Sequence, residues 1–428
     1  MARPVSFGGR VQTTQVPIWK QKAVLRLLPI TFLAELGTVA LNFFAVPAYL
    51  REDLHFSERY IGIVLAVYLV SEALFKGVVG HYADRFGRKR FLLIGPLIWT
   101  ITPLLTMAIP DTWGQGLFVA ILLLRIADGL AAAMVWTSAY AMMGDATSED
   151  QRSQGMSLLN FCFMAGLALG FVLGGEANAL ANSYKASFAA AAGLFFLCVL
   201  LTSFTIHDDR SLGSTAEEEH RLSDVWRCFR EIPMVFILGF ITFVAIGLPA
   251  PVLMFFAQDI YGVDVNAFGR TLALPAAATL AVLSLPMGMA GEKIGHRRAV
   301  DLGLLVCLVG LAVIGAGKWS DAIRHFAFVI PAAALVGIGF LLALPAWYAM
   351  VSRIDERRSG LYLGGVMAVQ GFGAILGTLV GARLYESDPF GPGIGSALCL
   401  LVALVLATIV PTSLETKNAS PAQGQREE

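Results

Sequence analysis

Five ionisable residues lie inside long apolar stretches of this chain: Glu35, Glu72, Lys76, Arg125 and Asp128. On insertion scales, a charged group at the centre of a bilayer costs about 2.5–3.5 kcal/mol, so such residues mark places that bind ions, protons or polar partners. Burial favours the neutral form of a carboxyl group, which suits Glu35 to carrying a proton. The alternative is that Glu35 is the structural partner of an arginine.

Arg125 and Asp128 are three residues apart and therefore share one face of a helix. Because an arginine stays charged, Arg125 must face an acid or a polar cavity, where it could couple proton binding at Glu35 or Asp128 to a bound ligand. Glu72 and Lys76 are four residues apart, so they either neutralise each other or contact the ligand directly.

The composition indicates a membrane protein. Of 428 residues, 57% are hydrophobic and 14% are charged, against about 25% charged in soluble proteins. The net charge of zero gives no indication of a nucleic-acid partner. The five cysteines form no CxxC or Cys/His pattern, which predicts neither disulfides nor a metal site. Motifs for nucleotides, dinucleotides or hydrolysis are absent from the sequence, so we expect no cofactor and no enzyme activity.

Apolar segments of about 20 residues can each cross a bilayer as a helix. The sequence predicts an all-α polytopic membrane protein with twelve transmembrane helices in two six-helix pseudo-repeats. We expect a cytoplasmic segment at 1–24, bundles at 25–206 and 233–412, a cytoplasmic linker at 207–232 and a cytoplasmic tail at 413–428. The predicted spans are 25–50, 58–82, 91–110, 115–143, 154–178, 184–206, 233–257, 266–290, 299–317, 325–350, 360–384 and 393–412.

Basic residues predict the orientation, because cytoplasmic loops of membrane proteins are enriched in Lys and Arg. With the N-terminus in the cytoplasm, 22 of the 31 basic residues fall on the cytoplasmic side, seven outside and two within spans. The sequence therefore predicts a multi-pass protein of the inner (cytoplasmic) membrane with both termini in the cytoplasm.

A loop motif recurs in the two halves at an offset of 208 residues. Glycine, acid, base, glycine and a basic cluster follow both the second and the eighth span, which a generic basic loop does not explain. A second repeated motif follows spans four and ten, at 145–155 and 355–360. The residues of the loop motif that we single out are Gly80, Asp84, Arg85, Gly87, Arg88 and Lys89 in the first copy and Glu292, Gly295 and Arg297 in the second.

The stretch 80–90 resembles motif A of the major facilitator superfamily of secondary transporters. The resemblance covers about residues 25–412 and implies that this loop latches the two halves at the cytoplasmic side. It also implies that Asp84 meets the start of helix 11 near Ser359 and Gly360.

Two further stretches resemble proton-coupled branches of that superfamily. Arg125 to Gly129 is similar to motif B, although Asp128 departs from its usual residue. The glycines of helix 5 look like motif C of the antiporters, with Phe171 in place of a proline, but a helix-packing stripe explains them equally well. These motif C-like glycines are Gly166, Gly170, Gly174 and Gly175.

The segment 32–90 also resembles the twelve-span drug:proton antiporters, which include the tetracycline exporters. The resemblance implies a monomeric secondary transporter that works by alternating access, with proton-coupled export of a small lipophilic or amphipathic compound. The alternatives are a lipid or glycolipid flippase of the same fold and a proton-coupled metabolite importer.

A cavity for such a compound would be polar on one side and aromatic on the other. Aromatic faces suit flat, lipophilic or cationic ligands, although aromatic residues at helical spacing also serve packing or face lipid. The residues expected to line this cavity are Glu72, Lys76, Asn42, Phe240, Trp347 and Tyr348.

Overall fold

The computed structural model describes residues 17–113, 115–148, 151–206, 229–352, 354 and 359–409. In these ranges ten helices are long and apolar enough to cross a membrane, and two shorter apolar segments occupy the places of spans seven and eight. The helices are α1 (Lys22–Asp53), α2 (Glu58–Phe86), α3 (Arg88–Ala108), α4 (Gln115–Ala146), α5 (Arg152–Ala181), α6 (Tyr184–Thr205), α7a (Pro233–Gly247), α7b (Leu253–Tyr261), α8 (Leu274–Ile294, after a π turn Gly269–Ala273), α9 (His296–Ala316), α10 (Phe326–Ser352), α11 (Ser359–Ser387) and α12 (Gly391–Ile409).

A single glycine links α2 to α3 and another links α8 to α9, and the two have nearly the same backbone conformation. Gly87 has φ 98° and ψ 125°, and Gly295 has φ 90° and ψ 140°. Residues with a Cβ are strained at such positive φ values, so both loop motifs need glycine here. The sequence repeat is therefore also a repeat of backbone geometry.

The seventh span is broken, whereas the sequence predicted one continuous helix over 233–257. α7a ends at Gly247 and α7b begins at Leu253, with turns between them that contain Pro249 and Pro251. Proline lacks the N–H that a helix interior requires, so two prolines in this stretch end the helix. The Ser396 hydroxyl of α12 donates to the carbonyl of Ala245, 2.7 Å away, beside the break.

Glycines allow α11 to pack closely against α7a. A Cβ at Gly377 would lie 2.4 Å from the Val244 carbonyl oxygen, and one at Gly381 would lie 1.8 Å from that of Leu248. The equivalent pair in the first half is α5 against α1, where a Cβ at Gly170 would lie 2.5 Å from Val39. Both bundles thus use a helix with glycines to support the helix that begins the bundle.

The two ends of the helical bundle differ in charge, and we name them accordingly. The basic end carries the loops after α2 and α8 with their motif residues, and the far end carries the connections α1–α2 and α7b–α8. At the far end the two halves are joined by charged and amide pairs. These pairs are Arg51–Asp259 (2.6 Å), Glu52–Gln258 (3.2 Å), Arg270–Glu176 (2.7 Å) and Asn178–Asn266 (2.7 Å).

Apolar packing also joins the halves at the far end. The core of the first bundle continues into Val252, Phe255, Phe268 and Tyr385 of the second half, all near the far end. The core of the second bundle is a separate cluster. The described far end is therefore closed by both apolar and polar contacts.

α2 and α11 converge at the far end and diverge towards the basic end. A Cβ at Gly62, near the far end of α2, would lie 2.4 Å from Cβ of Ala382 on α11. Gly77, four turns further along α2, and Gly364, near the start of α11, have no atom within 4 Å of such a Cβ. Open space therefore lies beside both helices towards the basic end, where we infer a cleft between the two halves.

The predicted segment 1–24 and linker 207–232 lie mostly outside the described residues, and the predicted tail 413–428 lies wholly outside them. Their assignments stay predictions.

Candidate functional site

Arg125 and Asp128 form a fully buried ion pair on α4, with 2.8 Å between Arg125 Nη1 and Asp128 Oδ2. The same guanidinium nitrogen donates to Asn42 Oδ1 of α1 at 2.6 Å. Thr102 of α3 donates its hydroxyl to Asp128 Oδ1, and the indole N–H of Trp99 donates to the Asp128 carbonyl at 3.1 Å. Three helices therefore hold this pair in place.

The backbone of α1 is unusual where it supplies Asn42. The segment Val39–Ala45 is a π turn within the helix, and π turns widen a helix locally and are frequent at functional sites. Gly129, next to Asp128, lets α4 approach α2 closely, since a Cβ there would lie 2.6 Å from the Tyr68 carbonyl oxygen and 2.7 Å from the Glu72 nitrogen.

The pair keeps several donor groups free. Within the described residues, Nε and Nη2 of Arg125 and Nδ2 of Asn42 are buried and have no hydrogen-bond partner. Buried polar atoms are nearly always bonded, so such exceptions call for an explanation. Unsatisfied donors around a charged pair suit a site that takes up a further polar group.

Glu35 of α1 is 3% exposed and packs against α5, where a Cβ at Gly166 would lie 2.7 Å from Cβ of Glu35. In the described part of the chain no cation is paired with this carboxyl group, and the charged group that acts on it is Glu72. The arginine of the neighbouring buried pair, Arg125, is bound to Asp128 and not to Glu35. Glu35 is thus a buried, unpaired acid, which is the arrangement that favours proton binding.

Glu72 and Lys76 form the expected i,i+4 ion pair, with 2.7 Å between Glu72 Oε1 and Lys76 Nζ. The Glu72 side chain is 16% exposed and that of Lys76 is 51% exposed. The pair is formed at the edge of the buried cluster, so contact with a ligand in the cleft stays open as a prediction.

In the first half, the loop motif at 80–90 contacts the second repeated motif at 145–155. Arg88 donates to Asp84 Oδ1 at 2.8 and 2.9 Å and also to Asp145 Oδ2. Asp84 is half exposed, and these described bonds lie within its own half. The predicted contact with the start of α11 is not formed by them, which agrees with a cleft that is open at the basic end. The latch stays a prediction for a conformation closed at this end.

Other residues of the loop motif serve packing. Arg85 stacks on the Phe86 ring at 5.5 Å, and Gly80 faces Thr137 of α4. In the second copy Glu292 is exposed, and Arg297 donates to the carbonyl oxygen of Ala407 at 3.2 Å. The second copy therefore ties α9 to α12.

The aromatic residues of the second half do not all face the cleft. Trp347, which was expected to line the cavity, is 6% exposed and packs in the core of the second bundle with Leu238 and Val300. Its contact with a transported compound stays a prediction. Phe240 and Tyr348 are half-buried, and the Tyr348 hydroxyl donates to Gln370 Oε1 at 3.1 Å.

Three neighbours of the cluster were not expected from the sequence. Thr102 bonds Asp128, while Tyr68 and Tyr140 lie within electrostatic range of both Glu35 and Glu72. Tyr68 stands one helical turn before Glu72, and that spacing is the signal that could have identified it. Thr102 gave no such signal, since threonine is common in membrane helices.

Comparisons with known proteins agree with this architecture. A sequence model of the Major Facilitator Superfamily matches residues 27–282 and 235–427. Multidrug resistance protein 2 of Bacillus subtilis (strain 168) is 25% identical over 399 residues, covering 91% of this chain and 96% of the relative. Tetracycline resistance protein, class E, of Escherichia coli is 26% identical over 376 residues, covering 86% of this chain and 88% of the relative.

Solved structures share the fold at low identity. A bacterial homologue of the human lysosomal transporter Spinster, inward-facing and occupied, has a TM-score of 0.70 at 15% identity and covers 92% of this chain and 96% of its own. A D-xylose–proton symporter has a TM-score of 0.70 at 16% identity, covering 92% and 98%. Two bundles of helices related by an internal repeat are a known plan of membrane transporters. The chain belongs to the major facilitator superfamily.

Proposed function

We propose that this chain is a proton-coupled exporter of small lipophilic or amphipathic compounds that works by alternating access. The observation that carries the proposal is Glu35, a buried carboxyl group without a cationic partner among the described residues. Such a group is neutral when it holds a proton and becomes costly to bury when it loses it. Its proton state can therefore decide which conformation is stable.

The sequence relatives support the direction of transport. Those that match 82–94% of the chain include multidrug and tetracycline resistance proteins at 24–26% identity. Resistance is the consequence expected of moving a compound out of the cell. We place the basic end on the cytoplasmic side of the inner membrane, because the Lys and Arg residues are concentrated there.

The proposed cycle begins in the conformation described above, with the far end closed. A compound enters the cleft from the basic end and Glu35 releases its proton to the cytoplasm. The unpaired carboxylate destabilises this state, so the basic end closes, through Asp84 and α11, and the far end opens. The compound leaves there and Glu35 takes up a proton, which restores the first conformation.

Arg125 and Asp128 have a supporting part in this cycle. Their ion pair holds a fixed charge distribution beside Glu35, and a proton on Asp128 would free Arg125 to bind the compound or Glu35. We assign Glu72, Lys76, Asn42, Phe240 and Tyr348 to the surroundings of the compound.

Transport into proteoliposomes with an acidic interior tests the proposal. We expect the wild-type protein to accumulate tetracycline or the lipophilic cation ethidium only while the pH gradient lasts. Glu35→Gln cannot exchange a proton and should accumulate less than about a tenth as much, because a positioned proton-transfer group contributes about 10²–10⁴ in rate. Asp321→Asn, an exposed acid at the far end, is the matched control and should behave as wild type.

Two results would contradict the proposal. Accumulation by Glu35→Gln at the wild-type rate would show that Glu35 carries no coupled proton. Failure of the wild-type protein to move either probe, together with tightly retained lysolipid or glycolipid in native mass spectrometry, would favour the flippase alternative.

A further inference from the structure

Tyr68 of α2 lies at the centre of the buried charges, and the proposed cycle gives it no role. The residue is 3% exposed. Its ring meets that of Phe43 edge-on, with 6.3 Å between centroids, and Phe43 belongs to the π turn of α1 that also supplies Asn42. On its other side, Gly129 of α4 approaches the Tyr68 carbonyl oxygen. Tyr68 is thus held between the two helices that carry Glu35 and the Arg125–Asp128 pair.

The charged groups within electrostatic range of the Tyr68 hydroxyl lie on α1, α2 and α4. Glu72 lies on α2 itself, Glu35 on α1, and Asp128 and Arg125 on α4, and all act on this hydroxyl electrostatically. Glu35 and Glu72 also act on each other. The hydroxyl therefore lies near one carboxyl group without a cation, Glu35, one that is paired with a lysine, Glu72, and one that is paired with an arginine, Asp128.

The hydroxyl of Tyr68 makes no hydrogen bond to a described residue, although the rest of the side chain is enclosed. A neighbouring carboxyl group that changes its proton state or moves slightly could bond it from either side, since a phenol both donates and accepts.

Exposure rises along α2 from Tyr68 towards the basic end. Tyr68 is 3% exposed, the Glu72 side chain 16% and the Lys76 side chain 51%. These residues follow one another at i, i+4 and i+8, so they form one row on the helix. The row leads from the enclosed Tyr68 to the part of α2 around Gly77, where a Cβ would have no atom within 4 Å.

We propose that Tyr68 relays protons between Glu35 and Glu72, and that this row is the route by which the buried acid exchanges protons with the cleft at the basic end. In the release step the Glu35 carboxyl O–H gives its proton to the phenol oxygen while the phenol O–H gives its own proton to the Glu72 carboxylate. Tyr68 ends neutral, Glu35 ends ionised, and Glu72 then loses its proton to water.

Lys76 has a defined part in this route. Its ammonium Nζ lies 2.7 Å from Glu72 Oε1, so the acceptor carboxylate has a cation beside it throughout the transfer. The ion pair is therefore a working part of the relay as well as a structural contact. The inference rests on the proposed function, because it concerns how Glu35 is loaded.

Tyr68→Phe tests the relay, because it removes the hydroxyl and keeps the ring that packs on Phe43. Tetracycline movement is measured in proteoliposomes in two ways: accumulation driven by a pH gradient, and exchange of labelled for unlabelled tetracycline without a gradient. Exchange needs no net proton release, so we expect it to stay within about twofold of wild type. Gradient-driven accumulation should slow at least about tenfold, in keeping with the loss of a positioned proton-transfer group.

Two further variants complete the experiment. Glu72→Gln removes the acceptor and should slow gradient-driven accumulation as Tyr68→Phe does. Tyr60→Phe changes a tyrosine that packs on Phe56 and Phe118, away from the cluster, and should leave both rates at the wild-type value.

The outcomes separate this inference from the proposed function. Wild-type driven accumulation by Tyr68→Phe would overturn the relay and leave Glu35 as the carrier. Equal loss of driven accumulation and exchange would also overturn it, since that is the result of a purely structural role. Absence of gradient-driven movement in the wild-type protein would overturn the proposed function and the relay together.

Discussion

At the scale of single residues, the buried acids of the first half differ in what neutralises them. Asp128 is bonded by Arg125 and Thr102 and is fully buried. Glu35 is equally enclosed and has no cation beside it among the described residues. The first arrangement suits a fixed charge and the second a group whose proton comes and goes.

This difference predicts the stability of Asp128→Asn. The substitution leaves Arg125 buried without its counter-charge, and breaking a buried pair costs about 3–5 kcal/mol. We expect a clear fall in the thermal unfolding temperature in detergent, with partial recovery when Arg125→Gln is added. Unchanged unfolding of Asp128→Asn would contradict this view of the pair.

The matched control is Asp388→Asn. Partial burial opposes ionisation of Asp388, but hydrogen bonds from Lys318 and from the Phe390 N–H outweigh it and hold the pKa of this carboxyl below its usual value. The group contributes stability above the unfolded pKa and loses it as pH falls through the folded one. Because the pair is partly exposed, its loss should cost no more than about 1 kcal/mol.

At the scale of helices, the glycines of α11 set how closely it packs against α7a. Gly377 and Gly381 contact backbone carbonyl oxygens directly, whereas a Cβ added at Gly371 on the same helix would have no atom within 4 Å. Only the first two are therefore required by packing. The break between α7a and α7b lies at the same contact.

Alanine at these positions tests the packing. Gly377→Ala forces the helices apart, and such overpacking costs about 1–3 kcal/mol. Gly371→Ala adds a methyl group to open space and gains helix propensity of up to about 1 kcal/mol. We expect a lower unfolding temperature for the first variant and an equal or higher one for the second. The reverse order would show that the contact is not tight.

The sequence predicted the positions of the spans and the glycine turns, but not the break in span seven or the contacts of individual side chains. Hydropathy locates spans well, and the repeated Gly87 and Gly295 follow from a turn that only glycine adopts easily. The break in span seven was missed because hydropathy averages over Pro249 and Pro251. The packing of Trp347 in the core of the second bundle was not predicted, because one sequence does not show how a helix is rotated about its axis. The hydrogen bond between Arg88 and Asp145 joins the two repeated motifs of the first half, and this contact could not be predicted because the motifs are far apart in the sequence.

At the scale of the whole molecule, a symmetric scaffold carries asymmetric chemistry. Arg51 and Asp259, which pair across the closed far end, are 208 residues apart, the same offset as the loop motifs. Yet the charged side chains that are buried in the described residues, Glu35, Arg125 and Asp128, all belong to the first half. In this account the two-fold repeat allows the two conformations, and the proton state of Glu35 in the first half determines which of them is stable.

The central claim, that the proton on Glu35 sets the conformation, can be measured without knowing the transported compound. Spin labels are placed on exposed residues of a variant lacking the five native cysteines. One pair, at Arg90→Cys and Arg298→Cys, reports on the basic end, and another, at Thr112→Cys and Asp321→Cys, reports on the far end. Asp259→Asn, which removes a far-end ion pair, is the positive control for far-end opening.

Distances between the labels are then recorded from about pH 5 to about pH 9, a range in which buried carboxyl groups of proteins can titrate. At low pH Glu35 is neutral and the described conformation is stable; at high pH an ionised, unpaired Glu35 opposes it. We predict that raising the pH lengthens the far-end distance and shortens the basic-end distance, and that Glu35→Gln keeps the low-pH distances throughout. Distances that do not change with pH in the wild-type protein, or that change equally in Glu35→Gln, would contradict the account.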